Sequence, residues 1–512
     1  MFKGQPKGLI SAALANMGER FGFYTMMAIL TLFISAKFGL DETTTGIIYS
    51  IFYALIYVLA LVGGIIADKT KNYKGTILTG IIMMAVGYVI IGYPTPTPVP
   101  HLGLYLALTC VGLFVIAFGN GLFKGNLQAV VGQMFDNPKY ESVRDRGFQI
   151  FYMFINIGGF FAPFFAIAVR NWWLQLHNFA YNEKLPELCH GFIKGTLGTE
   201  ALESFNLLAT EVSQAPVEDL GAFANEYLNV FNTGFHYAFF VAIVAMLISL
   251  VVFIVNKNKF PDVKKQVEEA AGTDAPKVTK MEVAEIRKRV MALFAVFGIV
   301  IFFWFSFHQN GLTLTYFAKD YTDVSKINID LGFTKIIGAE IFQSANPLFV
   351  VLLTFVVVGL FSWLNKKGKE PSTPKKIAIG MGIAAFAYLI MAIFSYNLPL
   401  LSEVKEMGGL PQALKVTPAL LIVTYLILTI AELFISPLGL SFVSKVAPPH
   451  MQGLMQGGWL TATAVGNQLL FIGAIMYKNI PIWLTWSVFV VVCLISMIVM
   501  ASMVKWLEKV AE

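Results

Sequence analysis

The feature that most limits what this chain can become is the recurrence of apolar stretches, each about 20 residues long, along almost its whole length. That length carries a helix across about 30 Å of hydrocarbon. A helix also satisfies its own backbone hydrogen bonds, as lipid requires, and no succession of short alternating strands points to a barrel. Composition agrees. The chain is 57% hydrophobic and only 13% charged, against roughly 25% charge in soluble domains. No water-soluble fold has an interior large enough to hide that much Leu, Ile, Val, Phe and Met. The expected class is an all-α integral membrane protein.

Hydropathy places about twelve spans, near 8–38, 44–67, 76–95, 102–133, 147–170 and 234–256, then 290–317, 337–364, 375–396, 416–444, 453–477 and 481–507. A polar, Lys/Arg-rich segment at 257–289 has no stretch long enough to cross. The expected organisation is an N-terminal six-helix bundle over 1–256, a linker over 257–289 and a C-terminal six-helix bundle over 290–512. Lysine and arginine gather in the loops of one side, at Lys69 to Lys74, Lys139, the linker, Lys366 to Lys376, Lys505 and Lys509. Positive residues mark the cytoplasmic side, so the linker and both termini are expected there. The other side takes the Pro-rich "YPTPTPVPH" and an acidic insertion at 171–233. That insertion opens with Trp172 and Trp173 as interfacial anchors and reads as a small helical cap on the outer mouth. Substrate recruitment or partner binding is its alternative role. The first residues do not read as a cleavable leader, so the first span is expected to stay.

Several function classes fall away. Cys110, Cys189 and Cys493 have the spacing of neither a disulfide framework nor a metal site, and no metal or cofactor is expected. The net charge of +6 belongs to the positive loops and does not indicate a nucleic-acid partner. There is no His-Glu-x-x-His, no paired protease aspartates and no Gly-rich phosphate loop, so neither an enzyme nor an ATP-driven pump is indicated.

An ionisable side chain within a span costs a few kcal/mol at least, which makes each one a functional candidate. Glu19 and Arg20 lie in the first span, Lys124 in the fourth, Glu340 near the start of the eighth and Glu432 in the tenth, with His308 a milder case in the seventh. Arg20, Lys124 and Glu19 fall in the first half and Glu432 in the second. A cavity between the halves would be cationic on one wall and anionic on the other, which suits a zwitterion such as an amino acid or a short peptide. The structural alternative is that Glu19 and Lys124 neutralise each other as a buried pair, which would leave Arg20 and Glu432 unexplained. Tyr24, Tyr57, Trp304 and Trp459 are aromatics associated with these positions. Singly, each is more often packing than site.

Two six-span halves joined by a polar linker match the major facilitator arrangement, in which the halves rock about a midplane site. "GGIIADKTKNYKG" between spans two and three is similar to the cytoplasmic loop motif of that superfamily, with Asp68 and Lys69 as a conformational latch. Its alternative is a positive loop with an incidental Asp. More specifically, "ERFGFY" at 19–24, "FYMFINIGGFFAP" from Phe151 to Pro163, "FQSANPLF" at 342–349 and "ELFISPLGLSFVSKVAP" at 432–448 resemble, in order, signatures of the proton-dependent oligopeptide transporter family. The likeness covers most of the chain outside 171–233 and the linker.

The resemblance implies a central peptide site. Arg20 and Lys124 would hold the peptide carboxylate and Glu432 its amino terminus. Asn156 and Asn346 would bond its polar groups, and Tyr24, Tyr57 and Trp459 would line side-chain pockets. It also implies import of di- and tripeptides by proton symport in a bacterial inner membrane, by a protein acting as a monomer. Departures from the pattern bear on coupling. The first glutamate of the family's Glu-x-x-Glu-Arg falls on Asn16, which cannot titrate. The first tyrosine falls on Phe23, and the proline after the fourth-span lysine is Gly125. A gating arginine falls on Met27 and its acidic partner near His308, which implies a rebuilt outer gate. Glu19, Glu432, His308 and Glu340 remain as proton-coupling candidates. Two other readings are carriage of a different small zwitterion or an anion such as nitrate, and a non-transporting sensor. Against the sensor, the chain ends soon after the twelfth span.

Overall fold

In the computed structural model the described residues are 4–135, 138–141, 144–261, 283–448 and 451–511. Among them, 12 helices are long and apolar enough to cross a membrane, and the protein is an integral membrane protein. The first five spans are α1 (Leu9–Phe38), α2 (Glu42–Thr70), α3 (Tyr73–Gly92), α4 (Leu102–Met134) and α5 (Arg144–Leu176). Two short helices follow, α6 (Leu185–Lys194) and α7 (Thr199–Ser213), before the sixth span, α8 (Leu220–Asn256). Corners between spans are set by local chemistry. Gly39 takes the left-handed conformation that ends α1 (φ 59°), a region a side chain rarely enters. Asp41 then caps α2 by accepting from the Thr44 amide at 3.0 Å, and Asn72 caps α3 by accepting from the Gly75 amide at 2.9 Å.

The second half begins with α9 (Val283–Phe307), which breaks at the 3₁₀ segment His308–Gly311 and resumes as α10 (Thr313–Tyr321). A two-residue hairpin, β1 (Ile329–Asp330) with β2 (Lys335–Ile336), leads to a 3₁₀ turn at Ala339–Ser344 and then α11 (Ala345–Lys366). There follow α12 (Thr373–Phe394), the short α13 (Leu401–Glu406), α14 (Pro418–Val446), α15 (Gln452–Gln468), α16 (Leu470–Asn479) and α17 (Ile482–Ala511). The eleventh span is therefore two helices bent at Leu469.

Packing sorts the spans into two sets. In the first, α1 lies on α5 and α8, α4 on α2 and α3, and α3 on α8; in the second, α12 lies on α14 and α17, α14 on α11, and α9 on α15 and α17. With no hydrophobic drive between helices in lipid, small residues let backbones close. At the α3–α4 crossing, a Cβ added to Gly80 would sit 2.6 Å from the Gly119 carbonyl oxygen. The sets meet along two seams. One runs between α2 and α15–α16, the other between α5 and the Ala339–Ser344 turn with α11.

Three boundaries differ from the sequence reading. The seventh-span helix opens at Val283 and not at 290, because the charged run through Arg287, Lys288 and Arg289 is helical, with Glu285 accepting from Arg289 at 2.8 Å. Of the remainder of the expected 257–289 linker, Lys257–Lys259 form a 3₁₀ turn and 262–282 lies outside the described residues. The 171–233 insertion is shorter as a connection. The fifth span continues to Leu176 and the sixth-span helix begins at Leu220, so the cap proper is 177–219.

Candidate substrate site and gate

Glu19 and Arg20 are adjacent on α1, yet their side chains meet. The guanidinium donates from Nε at 2.5 Å and from Nη2 at 2.7 Å to the two carboxylate oxygens. Both are buried, at 0% and 4% exposure. Asn120 of α4 donates to the same carboxylate at 2.8 Å, and Phe23 places its ring 4.8 Å from the guanidinium. The Phe that replaces the family's tyrosine thus serves as a cation–π surface. In this conformation the Arg20 guanidinium is taken up by Glu19, and the alternative pairing of Glu19 with Lys124 is not the one formed.

Lys124 lies one turn beyond Asn120 on α4. Its ammonium sits 4.9 Å from the centre of the Tyr57 ring of α2, half-buried, and has no carboxylate partner among the described residues. Across the seam, Glu432 of α14 is held by Asn346 of α11, whose amide donates to it at 2.8 Å and to the Thr429 hydroxyl at 3.0 Å. No cation pairs with Glu432 among the described residues either. Among the described residues, Lys124 on the first half and Glu432 on the second thus face the seam without ionic partners. Asn346 is Glu432's anchor, which occupies the amide that the sequence reading assigned to substrate.

His308 occupies the break between α9 and α10. Its Nδ1 meets Asn467 Oδ1 of α15 at 2.5 Å, and its ring lies 4.7 Å from Tyr53 of α2 and 4.8 Å from Trp304. Tyr57 is further off, at 6.5 Å. An aromatic layer thus joins the halves at the height of Lys124. The remaining candidates are wall residues. Tyr24 packs against Gly159 of α5, the Asn156 amide donates to the Tyr152 carbonyl at 3.0 Å, and Trp459 covers Gly439. Asp68 accepts from the Tyr73 hydroxyl across the α2–α3 corner, while Lys69 is exposed.

Glu340 does not join the central cluster. It pairs with Arg170 at the end of α5, and neither side chain is exposed at all. Arg170 also donates to the Ile337 carbonyl at 3.2 Å, and Asn171 donates to the carbonyls of Lys335 at 2.7 Å and Ile337 at 3.1 Å. The same end holds further ties between the halves: Asp41 with Lys478, Glu42 with Lys405 at 2.7 Å, Glu187 of α6 with Lys405 at 2.8 Å and Lys319 at 3.4 Å, and Glu183 with Lys415 at 3.5 Å. The ion pairs that join the halves among the described residues all lie at this capped end. Burial opposes ionisation of Glu187, but the Lys319 and Lys405 ammoniums outweigh it and hold its carboxyl down to about 2. Asp41 is likewise held at about 2, against burial, by Lys478 and Thr44.

The sequence reading missed Arg170, Asn171, Asn120, Tyr53 and Asn467. Arg170 stands at the boundary of a span, beside Trp172 and Trp173, where an arginine ordinarily reads as an interfacial anchor. Its burial depends on a partner 170 positions away.

Twelve spans in two sets that meet around a cluster of charged side chains are the arrangement of a major facilitator transporter. The chain belongs to the POT family, whose model matches residues 74–273 and 263–485. It is 30% identical, over 91% of its length and 87% of the relative's, to the peptide transporter YePEPT of Yersinia enterocolitica. It is 28% identical, over 91% of its length and 89% of the relative's, to a di-/tripeptide transporter of Lactococcus lactis. In fold it is similar to a peptide transporter POT solved with sulfate, at TM-score 0.71 and 22% identity, covering 100% of this chain and 96% of that one. The spans and the bacterial relatives make it an integral protein of a bacterial inner membrane.

Proposed function

We propose that this protein imports di- and tripeptides by alternating access, coupled to protons, and works as a monomer. The observation that carries the reading is Lys124 on one wall and Glu432 on the other, each without an ionic partner among the described residues. Charges that expensive within spans are retained for ligands, and the pair matches the carboxylate and ammonium at the two ends of a short peptide. The names of the relatives support the same cargo. A lone anion such as nitrate would leave Glu432 without a partner.

The reading assigns the capped end to the outside, following the charge of the loops, and takes 1–256 and 290–512 as the two rocking units. With the ion pairs that join the halves among the described residues all at that end, the conformation is closed outward. Opening outward requires Arg170–Glu340 and the Asp41, Glu42 and Glu187 pairs to part. Arg170–Glu340 thus does the gating work for which Met27 and His308 carry no ion pair. Coupling resides in Glu19 or Glu432. A proton on Glu19 releases Arg20, which then reaches the peptide carboxylate beside Lys124, so protonation and substrate binding favour the same state. The test is uptake of labelled Ala-Ala into proteoliposomes, with and without an inward proton gradient. Concentrative uptake only with the gradient is expected. Uptake that ignores the gradient overturns the coupling, and uptake of nitrate in place of dipeptide overturns the cargo.

A further inference from the structure

The cap and the two halves enclose a cavity of about 720 Å³ at the end away from the central cluster. It lies within the range of about 300–1,000 Å³ that small-molecule sites occupy. The cap is fastened to both sides of it. His190 bonds the Ala36 carbonyl at 2.7 Å and Lys194 the Gly39 carbonyl at 3.2 Å on the first half. Ser204 bonds the Gly408 carbonyl at 3.2 Å on the second.

Among the described residues, two charged groups on the cavity wall are incompletely satisfied. Glu42 is 5% exposed; its Oε1 accepts from Lys405, but its Oε2 has no hydrogen-bond partner. Lys184 has the opposite deficit. Its ammonium reaches only the Leu410 carbonyl, at 3.4 Å, and pairs with no carboxylate among the described residues. Burial, then the nearby Lys415 ammonium, lowers it to about 8 against the pull of Asp320 and Glu183, so it remains mostly charged at neutral pH with no carboxylate in direct contact among the described residues. A buried carboxylate oxygen without a donor and a cation without an anion are both costly. A small anion would satisfy Lys184 alone and a small cation Glu42 alone. A zwitterion satisfies both.

We propose that this cavity is a second, outer site for a short zwitterionic peptide, with Lys184 taking the carboxylate and Glu42 the ammonium. The proposal rests on the peptide reading above. The outer site receives the peptide at the cap, and the parting of the Glu42 and Glu187 bridges passes it inward.

Saturation-transfer difference NMR with Ala-Ala on the purified full chain tests this. The double variant Lys124→Gln/Glu432→Gln, which removes the central site, is expected to keep an Ala-Ala signal, and adding Lys184→Gln is expected to abolish it. Glu42→Gln in the same background carries the same expectation through a second variant, since its amide oxygen still accepts from Lys405. N-acetyl-Ala-Ala amide is expected to give no signal in the double variant. In uptake, Lys184→Gln alone is expected to raise KM about threefold to tenfold, the loss of one charge-assisted bond in a partly wet site, with kcat unchanged. A wild-type signal that vanishes in the central double variant overturns the outer site and leaves the peptide reading standing. No signal from the wild type overturns both.

Discussion

Arg170 at the end of α5 and Glu340 ahead of α11 form an ion pair in which neither side chain reaches solvent, although one belongs to each half of the molecule. Breaking a buried pair leaves the surviving charge without compensation, at a cost of about 3–5 kcal/mol. Glu340→Ala is therefore expected to lower the thermal unfolding midpoint in detergent and to raise the labelling rate of a cysteine placed at Met27. Unchanged stability would mean that the pair does not hold the capped end shut.

Lys124 and Glu432 should behave as a matched pair toward substrate. Each contributes a charge-assisted hydrogen bond worth about 1.5–3 kcal/mol, so Lys124→Gln or Glu432→Gln is expected to raise the KM for Ala-Ala about 10- to 100-fold. The Glu432 variant should also lose its preference for a free amino terminus over an acetylated one. Competition uptake with N-acetyl-Ala-Ala and with Ala-Ala amide checks the assignment of each end.

Glu19→Gln separates transport from coupling. Gln keeps one oxygen to accept from Asn120, so the α1–α4 contact survives, but it holds Arg20 only weakly and no longer binds and releases a proton. Counterflow of Ala-Ala between equal pools should persist while gradient-driven accumulation falls. Full accumulation in this variant would move coupling to Glu432 or His308.

The outer ties carry a pH dependence that can be read from Glu187 and Asp41. Both carboxyls are depressed to about 2, so the stability they contribute is present above the ordinary carboxyl values of 4.5 and 3.8. It is lost as pH falls from there toward about 2. Both side chains are substantially exposed, at 41% and 37%, so solvent screens the effect and it should be modest. Thermal unfolding between pH 7 and pH 3 should show the midpoint falling only below about 4.5, and Glu187→Gln should flatten that fall.

At the α3–α4 crossing, Gly80→Leu has no room. Its Cβ alone would fall 2.6 Å from the Gly119 carbonyl oxygen, backbone that cannot rotate away. A loss of about 1–3 kcal/mol or more is expected from overpacking, measurable as a lower unfolding midpoint, whereas Gly125→Ala, with nothing within 4 Å, should be neutral.

The twelve spans, their approximate ends and the sites of costly charge were legible in the chain itself. Span length follows bilayer thickness, and a charge inside a span is conspicuous wherever it lies. Lys124, Glu432 and Glu19 could be chosen on that ground alone, and the family resemblance carried Asn346 and Trp459. The partner of each charge was not legible. Glu19 could have neutralised Lys124 on α4 and instead takes Arg20, its neighbour in the chain, because both side chains turn to the same side of α1, toward Asn120. Glu340 read as a lone charge near the start of a span, and only the approach of α5 to the turn ahead of α11 set it against Arg170. Hydropathy is a local property that lipid reads one helix at a time, but the choice among possible ion partners depends on how helices far apart in sequence cross. For that reason only the tertiary structure decided that, among the described residues, Lys124 and Glu432 are without ionic partners.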